Sequence, residues 1–249
     1  LGCGDLWLNG KLVDPTRVLD PAQTNYEQYA FYTTYDVTKL LNAGANCFGI
    51  TLGNGWYNQN MVWGGIGVYG HPKARFVMRY ELADGTKGTL MSDDKWTWAE
   101  SAVTMNNIYA GESYDARKEQ AGWSTAKFGA QGWKAVQVTE ENLPPHLVPQ
   151  MMAPIRLLKA VKPVKTWRSP KGTWIIDFGI NMAAVPRIKV NLPAGTTLKM
   201  CMAEYSIADT LNYWTTGPIA TGHIQTDTYT CRGNGVETWT PRFTYHGFR

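Results

Sequence analysis

The chain has 249 residues, 44% of them hydrophobic and 18% charged, which excludes a disordered or collagen-like polymer and suffices for one large β domain or two ordinary ones. Its net charge is 24 − 20 = +4, divided unevenly: residues 1–150 carry 12 − 15 = −3 and residues 151–249 carry 12 − 5 = +7. The sign change supports two units, and the cations of the second half are scattered rather than gathered in the stripe that tracks phosphates, so no nucleic acid is expected.

Period two, the strand signature, dominates the chain, and helical patterns are scarce. Asp5-Leu6-Trp7-Leu8, then Asn9-Gly10, then Lys11-Leu12-Val13 predicts a hairpin, because Asn and Gly tolerate the positive φ of a two-residue turn. Asp36 or Thr38 caps a single helical turn through Lys39-Leu40-Leu41, which Gly44 ends. A strand follows at Cys47-Phe48-Gly49-Ile50. Residues 53–70, rich in Gly, Asn and aromatics, read as a long loop crossing one end of a sandwich. Phe76, Met78, Tyr80 and Leu82 alternate with polar or smaller residues up to an Asp84-Gly85 turn, which predicts a hairpin with one buried face. Residues 140–154 carry four prolines and no periodicity, as a stiff connector would. Beyond it, Ile188, Val190 and Leu192 alternate, Pro193-Ala194-Gly195 turns, and Leu198, Met200 and Met202 alternate back, which reads as another hairpin. The same scheme returns in Thr226–Thr230, a Gly233-Asn234-Gly235 turn and Trp239 onward. The expectation is an all-β chain of two consecutive antiparallel β-sandwich domains, jelly-roll or concanavalin-like, over 1–142 and 143–249. A start without Met and a finish inside a strand-like run suggest a piece of a longer protein.

No apolar run is long enough to span a bilayer and no signal-like start is seen, so no membrane partner is expected and localisation stays open. Cys3, Cys47, Cys201 and Cys231 form no metal-ligand spacing with the histidines; neither a metal site nor another cofactor is expected. Cys201 and Cys231 read as buried thiols, or as partners across strands if the compartment oxidises. A hydrolytic triad lacks its nucleophile elbow. Glycoside hydrolysis needs two carboxyl groups about 5 to 9.5 Å apart, and Glu112 with Asp115, or Asp93 with Asp94, are candidate pairs; Glu112, Asp115 and Arg117 read better as a structural polar cluster. Eleven Trp and thirteen Tyr fit either core packing or sugar stacking. Asn54, Trp56, Tyr57 and Trp63, with Asn58, could grip a sugar between rings and planar polar groups, or Trp56 and Tyr57 could plug the sandwich end. His246 reads as a packing or hydrogen-bonding residue at a domain junction.

Several strings in order resemble the bacterial α-L-rhamnosidases. Leu8-Asn9-Gly10-Lys11, Tyr32-Thr33-Thr34-Tyr35-Asp36-Val37-Thr38, Leu52-Gly53-Asn54-Gly55-Trp56-Tyr57 and Gly111-Glu112-Ser113-Tyr114-Asp115-Ala116-Arg117, with Gly122-Trp123 and Trp133, are similar to that family's N-terminal β domain. Asp177-Phe178-Gly179-Ile180-Asn181, Pro193-Ala194-Gly195-Thr196-Thr197, Ala203-Glu204, Thr226-Asp227-Thr228-Tyr229 and above all Pro241-Arg242-Phe243-Thr244-Tyr245-His246-Gly247-Phe248-Arg249 are similar to the β domain preceding its catalytic barrel. Ile180 departs from the family's usual Gln. The resemblance implies inverting hydrolysis of terminal α-L-rhamnose by carboxylates on an (α/α) barrel that would follow Arg249. No residue here inherits a catalytic role on that basis. The chain would brace the barrel and aid substrate recognition; the alternative is an independent carbohydrate-binding module for rhamnose-containing glycans, and a glycosidase within these residues is a third reading.

Overall fold

The computed structural model describes residues 1–61, 67–141, 143–207, 210–212 and 225–249. Within them the chain is all-β, with short 3-10 turns such as Thr38–Leu40, where Asp36 Oδ1 accepts the Thr38 N–H at 3.0 Å. No helix among the described residues is long and apolar enough to cross a membrane.

The first hairpin forms at the Asn-Gly turn. Cys3–Leu8 pairs with Lys11–Leu12, Leu8 opposite Lys11, and Asn9 (φ 53°) and Gly10 (φ 84°) supply the left-handed backbone. Asn9 also ties neighbouring chain together: its Oδ1 accepts the Cys47 N–H at 3.0 Å and its Nδ2 donates to Asn46 Oδ1 at 2.8 Å. That contact sets the register of Phe48–Gly53, which lies antiparallel to Cys3–Leu8 on its other side. Gly49 faces Trp123, where a Cβ would lie 2.3 Å from the indole, so the ring rests directly on the strand backbone. The Asp84-Gly85 ribbon pairs Val77–Glu81 with Lys87–Met91. It differs from expectation in that neither face is buried: Val77, Tyr80, Leu82, Leu90 and Met91 are exposed, and only Phe76 at its root tucks against Phe48 and Trp96.

The proline-rich segment is more than a connector. His146–Pro149 runs parallel to Tyr29–Tyr32 as a strand, with Pro149 at its last position, where a missing N–H is tolerated on an edge. The chain remains fastened to the first half for several residues more, through Val18 N–H to the Ile155 carbonyl (3.1 Å) and Leu157 N–H to the Thr16 carbonyl (2.8 Å).

In the second half the strands expected as local hairpins pair elsewhere. Ile188–Val190 joins Glu237–Trp239, whereas Thr197–Cys201 joins Thr226–Thr230. Pro193-Ala194-Gly195 and Gly233-Asn234-Gly235 therefore turn the chain from one layer into the other, so that Ile188, Val190, Leu198 and Met200 meet face to face over a core of Ala116, Tyr229, Cys231 and Trp239. The register removes the cross-strand alternative for the cysteines: Cys201 lies opposite Thr226 at one end of the ladder, Cys231 follows Thr230 at the other, and all four cysteines are free, as the thiol reading expects, with Cys231 buried and Cys201 half-buried.

The two halves share a sheet and a core. Gly111–Asp115, from the first half, is an inner strand of the four-stranded sheet, between Val103–Asn107 and, in parallel, Thr226–Thr230. Phe243, from the second half, is buried with Cys3, Val18, Leu19 and Ile108 in the core of the first.

Candidate functional site

The loop after Phe48–Gly53 begins with a turn pressed against the N-terminal strand. Asn54 donates its backbone N–H to Asn106 Oδ1 (2.7 Å) and its Nδ2 to the Asn106 carbonyl (2.8 Å), while its Oδ1 accepts Asn58 Nδ2 (3.1 Å). Its acceptor and one donor hydrogen are thus engaged by the protein. Tyr57 is 1% exposed, stacked on Tyr69 and edge-on to Tyr26, with its hydroxyl donating to the Tyr69 carbonyl at 3.3 Å. A sugar-stacking platform requires an open ring face, and Tyr57 has none; it fills the end of the first unit. Trp56 is half-buried against the same core as Phe243. Trp63 lies outside the described residues.

Glu112, Asp115 and Arg117 do not form one cluster. Three residues apart on a strand, Glu112 and Asp115 face opposite sides. Asp115 accepts both Arg117 Nε and Nη2 at 2.8 Å, and this paired guanidinium, with the Arg117 backbone N–H, holds its carboxyl below the usual range. Glu112 instead points into the seam between the halves, where its Oε2 accepts the backbone N–H groups of Arg242 (3.0 Å) and Phe243 (2.8 Å). Burial pushes its carboxyl up to about 8, against the two N–H donors and with the nearby charges of Asp227 and Asp5 adding to the rise.

Around Glu112 lies a polar seam that only His246 had suggested. Arg242 forms a bidentate pair with Asp5 (2.8 Å twice) and donates to the carbonyls of Pro15 (3.0 Å) and Arg17 (2.7 Å). Thr244 donates its hydroxyl to the Ile108 carbonyl at 2.8 Å. Asp227, fully buried, accepts the Glu112 N–H at 2.8 Å and sits 3.0 Å from His246 Nε2 through both oxygens. The string 241–249, the most conspicuous in the sequence, is therefore the fastening between the two halves. Glu237 is a second buried carboxylate used structurally; burial opposes its ionisation, and the N–H groups of Arg232 and Gly233 with the Tyr229 hydroxyl outweigh this and hold it low.

Family models recognise the chain in two stretches, as an α-L-rhamnosidase N-terminal domain over residues 1–159 and as a bacterial α-L-rhamnosidase concanavalin-like domain over residues 167–249. The chain belongs to the bacterial α-L-rhamnosidase family. An α-L-rhamnosidase of Formosa agariphila is 34% identical across the whole chain, which covers 27% of that protein, and one of Streptomyces avermitilis is 36% identical with 24% covered. The solved structure of the Streptomyces avermitilis α-L-rhamnosidase complexed with L-rhamnose superposes on all of the chain with a TM-score of 0.93 at 35% identity, using 24% of its own length. The solved structure of the α-L-rhamnosidase from Dictyoglumus thermophilum superposes with a TM-score of 0.89 at 37% identity, using 27% of its own length. The chain thus spans about a quarter of the α-L-rhamnosidases it matches.

Chemically, this arrangement of carboxylates suits fastening. The oxygens of Glu112, Asp227 and Glu237 are directed at backbone N–H groups, a histidine or a hydroxyl inside the protein. The surface cavity at the Val77–Met91 ribbon is lined by Arg79, Tyr80, Glu81, Lys87, Gly88 and Thr89 and contains a single carboxylate, which pairs with Lys87 at 3.3 Å.

Proposed function

We propose that these residues form the non-catalytic β portion of an α-L-rhamnosidase, bracing the part of the polypeptide in which terminal α-L-rhamnose is hydrolysed with inversion. One observation carries the reading: Glu112, the best carboxyl candidate in the chain, is 1% exposed, and its Oε2 accepts the N–H groups of both Arg242 and Phe243 in a closed seam. An inverting glycosidase requires an acid and a base about 6.5–9.5 Å apart with space between them for sugar and water. The test compares the 249-residue chain with a longer rhamnosidase polypeptide containing it, using p-nitrophenyl α-L-rhamnoside. Turnover is expected from the longer polypeptide alone; turnover by the 249 residues that Glu112→Gln abolishes would overturn the proposal.

A second reading, a carbohydrate-binding role for the loop through Asn54, Trp56 and Trp63, with Tyr57 buried beneath it as packing, is supported by the half-exposed position of Trp56. Calorimetric titration with L-rhamnose decides it: heat that disappears in Trp56→Ala supports the loop, and no heat at millimolar sugar removes it.

A further inference from the structure

From Leu143 to Ile176 the chain contains no Asp or Glu, and Lys159, Lys162, Lys165, Arg168 and Lys171 are all exposed. Arg156, by contrast, is paired with Asp14. The same stretch exposes apolar side chains to an extent that folding alone does not explain: Leu158 is 89% exposed, Val164 70%, Trp174 61% and Ile176 49%. Lys165–Arg168 and Trp174–Asp177 form a two-stranded antiparallel ribbon, with Thr166 opposite Ile176 and Arg168 opposite Trp174. Alternation places Val164, Thr166 and Arg168 on the same outward face as Trp174 and Ile176. An isolated two-stranded ribbon is marginal in water, and contiguous exposed apolar surface marks an interaction site.

The ribbon is tied to the strand His246–Phe248 and to the residue after it, Arg249. The Arg249 side chain pairs with Asp177 at the end of the ribbon (3.0 Å), its carbonyl accepts the Phe178 N–H, and Phe178 packs edge-on against Phe248. The chain covers about a quarter of its relatives, so in the reading proposed above, on which this inference rests, about three quarters of a rhamnosidase remains to be placed against this portion. We infer that the outward face of the 165–177 ribbon, with the basic segment leading to it, is the docking surface for that remaining part of the same polypeptide. The partner surface is an apolar patch rimmed by Asp and Glu, complementary to the lysines.

Hydroxyl-radical footprinting of the longer polypeptide, read by tandem mass spectrometry, tests this with an internal standard. Trp98 also sits on a two-stranded ribbon under a cation, Lys134 at 5.2 Å, as Trp174 sits under Arg168 at 5.0 Å, and Trp98 is the less exposed of the two within the 249 residues. Docking predicts that Trp174 is oxidised several-fold more slowly than Trp98. Oxidation of Trp174 as fast as Trp98 or faster overturns the inference. Protection that fades on dilution assigns the face to a second copy and also overturns it. Lys159→Glu with Lys162→Glu should raise Trp174 oxidation, and an unchanged rate disposes of the acidic rim. Rhamnoside turnover measured on the same sample reports separately on the proposed function.

Discussion

The seam between the halves can be tested by a double-mutant cycle across it. Phe243 comes from the last segment of the chain and Gly53 from the strand Phe48–Gly53; a Cβ added at Gly53 would lie 2.5 Å from both Cγ and Cδ1 of the Phe243 ring. The ring has no room to yield, because Cys3, Val18, Leu19 and Ile108 enclose it. Phe243→Ala should cost about 3–5 kcal/mol, the range for deleting a Phe side chain from a packed core. Gly53→Ala should cost about 1–3 kcal/mol through overpacking. In the double variant the new methyl group enters space that the ring has vacated, so its cost should not exceed that of Phe243→Ala alone. The coupling free energy is then about −1 to −3 kcal/mol instead of zero. Urea unfolding with a constant m-value measures all three variants. Strictly additive costs would show that the two residues do not touch and would refute the shared core.

Other groups in the seam give further expectations. Because burial raises the Glu112 carboxyl to about 8 from 4.5, the native state keeps a proton that the unfolded chain has lost, so this group's contribution to stability is present below about 4.5 and declines as pH rises toward about 8. Glu112→Gln keeps an oxygen acceptor and removes the titration; thermal melts across pH 5–8 should show a flatter profile than the parent, and an identical slope would contradict the burial of Glu112. Arg242→Ala leaves Asp5 unpaired in a largely buried site and should cost about 3–5 kcal/mol, whereas Arg232→Ala, which breaks the exposed pair with Glu119, should cost at most about 1 kcal/mol by the same denaturant assay. Burial also pushes the Cys3 thiol well above its ordinary range, so in a timed thiol titration Cys3 should react only after denaturant is added, later than half-buried Cys47 and Cys201.

Strand content was legible because each amphipathic strand announces itself by period two, and the Asn9-Gly10 hairpin was legible with its partner because two residues of positive φ fix both register and direction. Pairing beyond a turn was not. Ile188–Val190 and Thr197–Cys201 alternate just as a hairpin does, yet each pairs with a strand tens of residues away, and alternation says which face is buried without saying which neighbour covers it. Glu112 illustrates the same limit at the level of one side chain. Its donors are backbone N–H groups 130 and 131 residues downstream, and a backbone donor leaves no mark in the side-chain sequence. Arg117, two residues from Asp115, was the available local partner, and for Asp115 the local reading holds. Of the aromatic loop, Tyr57 shows why residue type alone underdetermines a sugar site: stacking on Tyr69 and stacking on a pyranose ask for the same ring, and burial separates them.

The seam bears on whether the first unit can act as a free-standing binding module. Ending the chain at residue 159, where the N-terminal family model stops, removes Thr226–Thr230 from beside Gly111–Asp115 and removes Phe243 from the first core. It also strips Glu112 of both N–H donors and Asp5 of its guanidinium, leaving two carboxylates unpaired at a newly wet surface. Loss of the Phe243 ring alone is worth about 3–5 kcal/mol, a large share of the 5–15 kcal/mol that typically separates native from unfolded states. The fragment 1–159 should therefore show a lower urea midpoint than the 249-residue chain and a shallower transition, and restoring 160–249 on the same chain should recover both. A fragment that unfolds in one sharp step at the parent midpoint would mean that the first unit needs nothing from the second, and the fastening role given to 241–249 would fall.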